Sequence, residues 1–81
     1  GVRKGKIYGN YVHDLIAGQE KDINGIYVDA WDRYATDIEI YNNVVHNIDY
    51  SGIAVQVENG GYASNVKVYN NLVYKCDDVG I

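Results

Sequence analysis

The ten-residue stretch IEIYNNVVHN, residues 38–47, has a near copy in VKVYNNLVYK at residues 66–75. A shorter third copy, KIYGNYVH, occupies residues 6–13, so the same phrase occurs three times in a chain of 81 residues. Self-similarity at a fixed period is the sequence signature of a repeat architecture, in which each repeat is one structural unit that packs on the next. The chain is therefore expected to consist of about three similar units.

Two anchors set the register of the three copies. Asn10, Asn43 and Asn71 occupy the same place in the phrases and are 33 and 28 residues apart. A Gly-Ile pair then follows each phrase, at spacings of 27 and 28 residues, in the form of Gly25-Ile26, Gly52-Ile53 and Gly80-Ile81. Two anchors with nearly the same period argue against a chance alignment.

Composition and alternation both predict β-strands. The chain has 20 Ile and Val residues, nine Tyr and only two Leu, and β-branched and aromatic side chains suit a pleated surface. Apolar side chains alternate with polar or aromatic ones in residues 38–41 and 66–69, which is the period of a strand with one buried face. A third strand is expected at residues 44–47, where Val45 would point inward. Nine Asn and nine Gly, with no Pro, supply corner residues between the strands.

Strands that recur at this distance must pair with their equivalents in the next repeat, which makes the sheets parallel and the chain a coil. The pattern I-x-I-x-N-N-x-V followed by G-I-x-V resembles the right-handed parallel β-helix proteins of the pectate lyase-like superfamily, over residues 6–81. The resemblance implies an all-β fold, a right-handed parallel β-helix (solenoid) of about three incomplete rungs, in a single segment of residues 1–81. The expected rungs are residues 6–37, 38–65 and 66–81.

The resemblance also gives Asn10, Asn43 and Asn71 the role of structural corners. Asn tolerates the left-handed backbone conformation, and its amide can hydrogen-bond to the equivalent amide one rung away. The same register predicts columns of equivalent side chains. They are an inner column of Ile7, Ile40 and Val68, outer columns of Lys6, Glu39 and Lys67 and of Tyr8, Tyr41 and Tyr69, and buried Ile26, Val28, Ile53, Val55 and Val57.

Charge and hydropathy disfavour several classes of protein. The formal net charge is −4 and the Lys and Arg residues are scattered, so there is no basic stripe and no nucleic-acid partner is expected. No apolar run approaches the roughly 18 to 20 residues that span a bilayer, so no transmembrane segment is expected. The single Cys76 excludes an intrachain disulfide. The absent initiator Met and capping helices suggest part of a longer β-helix, or copies that stack on one another.

The outer face of the Gly-Ile strands is the candidate functional site. Tyr27 and Asp29 should lie beside Ala54 and Gln56 of the next rung, at the strand spacing of about 4.8 Å. The loops expected after these strands add Trp31, Asp32, Arg33, Glu58 and Asn59.

Carboxylates on neighbouring rungs suit two kinds of chemistry. Asp29 and Glu58 could bind Ca²⁺ through their oxygens, or act as catalytic acid and base on the two sides of a glycosidic bond. The predicted substrate-binding residues surround them and are Tyr27, Trp31, Arg33 and Gln56. The alternative is a solvated polar face, with Trp31 folded over the end of the core.

Two further segments are weaker candidates. The segment His13–Gly25 spans 12 positions where His46–Gly52 spans six, so the first repeat has an insertion, which is either an ordinary loop or a functional one. Asp77 and Asp78 resemble the paired aspartates of polygalacturonase-like members of the superfamily. Asp77 aligns with Asp49, and aspartates that cap turns are the more common explanation.

His13 and His46 are one rung apart and could bind a transition metal. A zinc site generally needs three or four ligands, however, and the chain has no third His. Stacked rings on the outer face, with Tyr74 continuing the column, are therefore the favoured interpretation. Cys76 aligns with Ile48, so it is expected to be a small core residue.

The resemblance implies a secreted or cell-surface carbohydrate-active protein that binds and cleaves a polysaccharide as a lyase or a glycoside hydrolase. Lyases of this superfamily use a Lys or Arg base, and the basic residues near the acidic face are Lys21 and Arg33. No catalytic motif of the family is present, so the expectation of lyase activity rests on fold analogy. The competing expectation is a non-catalytic structural segment that forms a homo-oligomer end to end through uncapped rung edges. The insertion and the Trp-Asp cluster favour the carbohydrate-active protein, and the charge ladder favours the structural segment.

Overall fold

A computed structural model describes residues 2–16, 23–31 and 33–81, and for Val2 and Trp31 it describes the backbone alone. Eight strands make up this part of the chain: Val2–Tyr8 (β1), Tyr11–Leu15 (β2), Ile26–Trp31 (β3), Tyr34–Tyr41 (β4), Val44–Ile48 (β5), Ile53–Glu58 (β6), Tyr62–Tyr69 (β7) and Leu72–Cys76 (β8). These ranges contain no helix, so the all-β prediction is confirmed. The centre of the predicted insertion, residues 17–22 with Lys21, lies outside the described residues, and so does Asp32.

Each strand pairs in parallel with the strand three places later in the chain. One sheet contains β1, β4 and β7, a second contains β2, β5 and β8, and a third contains β3 and β6. The register aligns Ile7 with Ile40 and Ile40 with Val68, so the sequence repeat and the strand pairing coincide. The predicted parallel pairing of equivalent strands is confirmed.

Residues in the left-handed conformation bend the chain at five-residue intervals. In the second repeat these are Asp37, Asn42 and Asn47, with φ angles of 58°, 55° and 57°. The equivalent residues of the other repeats have the same conformation, namely Lys4, Gly9 and Asp14 and then Asn65, Asn70 and Lys75. Each bend interrupts the strict alternation of a strand, so inward side chains follow one another at spacings of two and three residues.

The core lies in the middle repeat and in β3 of the first repeat, where Ile26, Val28 and Ala30 are buried. Six successive inward residues of the middle repeat are each at most 2% exposed, namely Ala35, Ile38, Ile40, Asn43, Val45 and Ile48. Their equivalents in the outer repeats, such as Ile7 and Val68, are only half-buried because a neighbouring strand covers them on one side. Full burial of such a side chain contributes about 1.5–3 kcal/mol, so the middle repeat supplies most of the apolar stabilisation.

The predicted ladder of asparagine amides runs between the first two sheets. Asn43 Oδ1 accepts hydrogen bonds from the backbone N–H and the Nδ2 of Asn10, both at 3.0 Å. Asn71 Oδ1 accepts the same pair from Asn43, at 3.0 and 2.9 Å, and Asn43 Nδ2 also donates to the Ile7 carbonyl at 3.1 Å. The left-handed conformation occurs one position earlier than predicted, at Gly9, Asn42 and Asn70. In each of the pairs 9–10, 42–43 and 70–71, the first residue therefore turns the chain, and the Asn at the second position forms the hydrogen bonds between repeats.

The Gly-Ile pairs also stack, which confirms the second anchor. The N–H of Ile26 donates to the Gly52 carbonyl at 2.9 Å, and the N–H of Ile53 donates to the Gly80 carbonyl at 2.8 Å. A Cβ atom on Gly52 would lie 2.7 Å from the Gly80 oxygen and 2.4 Å from Val73 Cγ1. Glycine is therefore needed here for the close approach of backbones rather than for an unusual φ.

Two expectations for the third sheet are wrong. Trp31 and Glu58 do not lie in loops, because β3 and β6 extend to these residues and pair them with each other. Val57 is not buried: it is 48% exposed, whereas its register partner Ala30 is 0% exposed. The physical reason is that the hydrogen bonds to Val79 and Gly80 cover only the start of β6, at Gly52 and Ile53, and no strand of the described residues pairs with the same edge at Val57.

Candidate functional site

Tyr27, Gln56 and Glu58 form a hydrogen-bonded cluster on the outer face of the β3–β6 sheet. The Tyr27 hydroxyl lies 3.0 Å from Gln56 Oε1 and 3.2 Å from Glu58 Oε1. The register places the small Ala54 opposite Tyr27, which lets the ring reach diagonally to both acceptors. One hydroxyl proton can serve only one acceptor at a time, so the carboxylate keeps capacity for a donor from a ligand.

A recess of about 260 Å³ adjoins this cluster. Its lining residues are Asn24, Tyr27, Tyr50, Gln56 and Glu58. The volume is slightly below the range of about 300–1,000 Å³ that is usual for small-molecule sites, so the recess suits a group about the size of one ring. Two phenols, two amides and a carboxylate provide both donors and acceptors, the set that a hydroxylated ligand needs.

Two residues of the recess, Asn24 and Tyr50, were not among the predicted site residues. Both lie just before a Gly-Ile anchor, Asn24 directly before Gly25 and Tyr50 two residues before Gly52. The turn that leads into each Gly-Ile strand brings them to the rim of the face that was predicted. The flanks of a repeated anchor are thus the sequence signal that could have identified them.

The two carboxylates that were predicted to act together, Asp29 and Glu58, line two different cavities that share Tyr27. Asp29 pairs with Gln56 in the register, so Asp29 and Glu58 are diagonal neighbours on the outer face. Glu58 lines the recess with Tyr27, whereas Asp29 lines a different cavity of about 250 Å³, together with Lys6. Neither of these two cavities is lined by both carboxylates.

Arg33 was also predicted to bind substrate, but it does not line the recess. Arg33 is exposed between β3 and β4, and its carbonyl accepts a hydrogen bond of 2.9 Å from the Tyr62 N–H. The Trp31 side chain lies outside the described part of the structure. In that part, no group of three or more His, Cys, Asp or Glu side chains could hold a metal ion. Calcium takes six to eight oxygen ligands, so the calcium site at Asp29 and Glu58 stays a prediction.

A second polar cluster covers the outer face of the β2–β5–β8 sheet. The rings of His13 and His46 stack at 5.4 Å, and His46 stacks on Tyr74 at 4.8 Å, as predicted. His13 Nδ1 lies 2.7 Å from Asp14 Oδ2, and Asn47 Nδ2 donates to Asp14 Oδ1 at 2.8 Å. The hydrogen bond to His13 and then that to Asn47 lower the pKa of Asp14. The imidazole planes are 9° from parallel, so their in-plane lone pairs do not converge on one metal ion.

The predicted tyrosine column is confirmed on the β1–β4–β7 sheet. Tyr41 stacks between Tyr8 and Tyr69, at 5.2 and 5.1 Å, with planes within 5° of parallel. Glu39 accepts a hydrogen bond of 2.8 Å from the Tyr69 hydroxyl, which raises the pKa of Tyr69, and lies 4.0 Å from Lys6 Nζ. Tyr41 is thus covered on both ring faces by the other two tyrosines of the column.

The acidic residues near the end of the chain are placed as turn residues. The backbone N–H groups of Asp49 and Asp77 each donate to the last residue of a neighbouring strand, at 2.9 and 3.1 Å, which confirms that the two are equivalent. Asp78 Oδ2 accepts a hydrogen bond of 3.4 Å from Ser51. Cys76 pairs with Ile48 as predicted, and burial raises the pKa of its thiol, which suits a packing residue rather than a nucleophile.

Comparison with known proteins gives no family assignment. No protein-family model matches the sequence, and no match was found among curated proteins or among solved structures. The likeness to the pectate lyase-like superfamily therefore stays a prediction from the sequence pattern. In the part of the chain that the structure describes, no helix is long and apolar enough to cross a membrane.

Proposed function

We propose that this chain is a segment of a right-handed parallel β-helix of the pectate lyase-like type, from a secreted or cell-surface protein, and that it binds polysaccharide. The pairing of every strand with its equivalent three places later supports the coil, because successive turns of a coil bring equivalent strands side by side. The binding site is the recess beside Tyr27 and Glu58.

The observation that carries the proposal is the position of the Tyr27 hydroxyl between Gln56 and Glu58 at the edge of a ring-sized recess. Sugar hydroxyls can donate to the Glu58 carboxylate, and the two phenol rings that line the recess offer flat apolar area to a sugar face. Binding is favoured over cleavage as the main activity, because Asp29 lines a different cavity from Glu58.

Calorimetric titration with a panel of neutral and uronate oligosaccharides tests this proposal. At least one oligosaccharide should bind saturably, and Tyr27→Phe, which keeps the ring and removes the hydroxyl, should weaken that binding roughly two- to tenfold, the value of one hydrogen bond. Glu58→Gln should weaken it as well. Tyr62→Phe, at an exposed tyrosine of another sheet, is the matched control and should bind like the parent chain. Absence of saturable binding, or equal losses in Tyr27→Phe and Tyr62→Phe, would contradict the proposal.

Cleavage by Asp29 and Glu58, with or without Ca²⁺, is the stronger form of the same proposal. It predicts new reducing ends from a bound oligosaccharide, their loss in Asp29→Asn, and a thermal stabilisation by calcium chloride that Asp29→Asn removes. Binding without new reducing ends would restrict the function to recognition.

A second candidate function is structural association end to end, and the asparagine ladder favours it. Asn43 accepts from Asn10 of the previous repeat and donates to Asn71 of the next one. The first repeat therefore presents the acceptor oxygen of Asn10 at one end of the stack, and the third repeat presents the donor groups of Asn71 at the other. Two copies in head-to-tail contact could continue the ladder without a change in its geometry.

A further inference from the structure

The recess beside Tyr27 is polar, and its charge is negative. Neighbouring repeats form it together, because Asn24 and Tyr27 belong to the first repeat and the other lining residues belong to the second. Of the residues that line it in the described part of the chain, Glu58 alone carries a charge. The other four contribute two amides and two phenols, all uncharged. The charge of a ligand is therefore judged against a single carboxylate.

No basic side chain of the described residues forms an ion pair with this carboxylate. The ion pairs found in that part of the chain lie on the other two sheets. The hydrogen bond that Glu58 accepts comes from the uncharged Tyr27 hydroxyl, at 3.2 Å. Glu58 thus presents an uncompensated negative charge to the recess, and the formal net charge of −4 adds to the negative potential around it.

An ammonium group on a sugar ring suits these surroundings better than a hydroxyl or a carboxylate. It has three N–H donors, and the Glu58 carboxylate and Gln56 Oε1 both accept hydrogen bonds. Charge-assisted hydrogen bonds are roughly twice as strong as neutral ones, and the faces of phenol rings such as those of Tyr27 and Tyr50 also attract a cation. A uronate carboxylate would instead meet the like charge of Glu58, which is unfavourable.

We propose that the recess selects an amino sugar with a free, protonated amine, so that the polysaccharide bound is a cationic polymer of amino sugars rather than a polyuronate. The selection rests on the proposed function, because it acts at the same recess. The amine lies against Glu58 and Gln56, and the hydroxyls of the same ring remain for the neighbouring amides and phenols. A volume of about 260 Å³ accepts one such ring, so the selection acts on a single sugar unit.

Two tetrasaccharides of the same linkage test this selection by calorimetric titration of the full chain. One is a tetramer of glucosamine, and the other is the tetramer of glucose, which has a hydroxyl in place of each amine. At slightly acidic pH and physiological salt, where the Debye length is about 8 Å, the glucosamine tetramer should bind about two- to fivefold more tightly. Glu58→Gln removes the charge and keeps the size of the side chain, so it should bring this ratio close to one.

The matched control is Asp37→Asn, which removes the same charge from an exposed residue of β4, on another sheet. Asn tolerates the left-handed conformation of this position and keeps an oxygen for the hydrogen bond from Asn65, so the ratio should not change. Gln56→Glu adds a second carboxylate beside Tyr27 and should raise the ratio, which keeps the test decisive if Glu58→Gln is unstable. Tetralysine, which has the charge but no sugar hydroxyls, should bind more weakly than the glucosamine tetramer.

The possible results separate the selection from the proposed function. Equal affinities for the two tetramers, both reduced by Tyr27→Phe, would overturn the selection and leave the polysaccharide site in place, whereas absence of saturable binding by any oligosaccharide would overturn both. A ratio that survives Glu58→Gln, or that falls equally in Asp37→Asn, would overturn the selection in favour of a general attraction to the charge of the chain. Tetralysine that binds as tightly, with the same dependence on Glu58, would overturn it in favour of a basic peptide.

Discussion

Single residues of the Gly-Ile anchor differ sharply in the space around them. A Cβ on Gly52 would lie 2.4 Å from Val73 Cγ1, 2.7 Å from the Gly80 oxygen and 3.1 Å from Cys76 Sγ, whereas a Cβ on Gly80 would lie 3.5 Å from its nearest neighbour. We expect Gly52→Ala to lower the free energy of unfolding by about 1–3 kcal/mol or more, as overpacking does, and Gly80→Ala to leave it nearly unchanged. Urea denaturation measures both, and equal effects of the two substitutions would contradict the stacked arrangement of the anchor.

Asn43 is the central member of the amide ladder and is 1% exposed. Asn43→Leu removes the four side-chain hydrogen bonds that Asn43 makes to Asn10, Ile7 and Asn71, and each contributes about 0.5–1.5 kcal/mol. We expect a loss of at least about 3 kcal/mol in the free energy of unfolding, measured by urea denaturation. Asn42→Gly is the control, because its left-handed conformation suits glycine and its side chain is exposed, so it should cost little. A stable Asn43→Leu variant would argue against the ladder.

At the scale of elements, the sequence predicts the strands and their register well and the bends poorly. Ile7, Ile40 and Val68 could be aligned because a repeated alternation specifies both the strand and its partner. In the second repeat, Asp37, Asn42 and Asn47 are residue types that favour the left-handed conformation, so their five-residue spacing can be read from the sequence. In the other repeats Lys4 and Lys75 occupy equivalent positions, and lysine gives no such signal. Lys does not favour this conformation by itself, so its neighbours in the stack impose it.

The candidate site was also predicted only in part. The register brought Tyr27, Gln56 and Glu58 to one face, and hydrogen bonds join them. Asn24 and Tyr50 line the recess but were not predicted, because they belong to turns. The path of a turn depends on how the repeats pack and not on a periodic sequence pattern. Whether Asp29 and Glu58 line the same cavity could not be predicted from the sequence, because that depends on how the side chains pack in the folded chain.

A substitution at a bend tests whether the left-handed conformation is strained. Lys75 has a φ of 56° and is equivalent to Asn47 and Asp14. We expect Lys75→Asn to raise the free energy of unfolding by up to about 1 kcal/mol, because Asn adopts this conformation at lower cost. Lys67→Asn, at an extended position opposite Glu39, is the control and should lower stability, since Asn disfavours strands. Urea denaturation of both variants would reject the interpretation if their effects had the same sign.

In the molecule as a whole, the inner strands are much better buried than the strands at the two ends. The nearly inaccessible inward residues belong mainly to β4 and β5, the central strands of the two three-stranded sheets, and large apolar side chains such as Leu72, Val79 and Ile81 are exposed. Exposed strand edges are templates for pairing with another chain, and the stack presents them at both ends. Stability and association of this chain are therefore coupled, because whatever covers an end also completes a half-buried repeat.

The final prediction concerns the charges that head-to-tail association brings together. When Asn10 of one copy follows Asn71 of another, the equivalent positions place Lys67 opposite Lys6, which is repulsive, and Lys75 opposite Asp14, which is attractive. Lys67→Glu should therefore strengthen association and Lys75→Glu should weaken it, each about two- to fivefold, as expected for cross-strand charge pairs.

Sedimentation equilibrium over a concentration series measures both effects, and the two variants are matched because each changes the net charge by the same amount in the same direction. A general effect of charge on solubility would move both variants in the same direction. Only the proposed register makes them diverge, because it alone places one lysine against a lysine and the other against an aspartate. A mass that does not change with concentration in any variant would show that the exposed ends do not pair with each other.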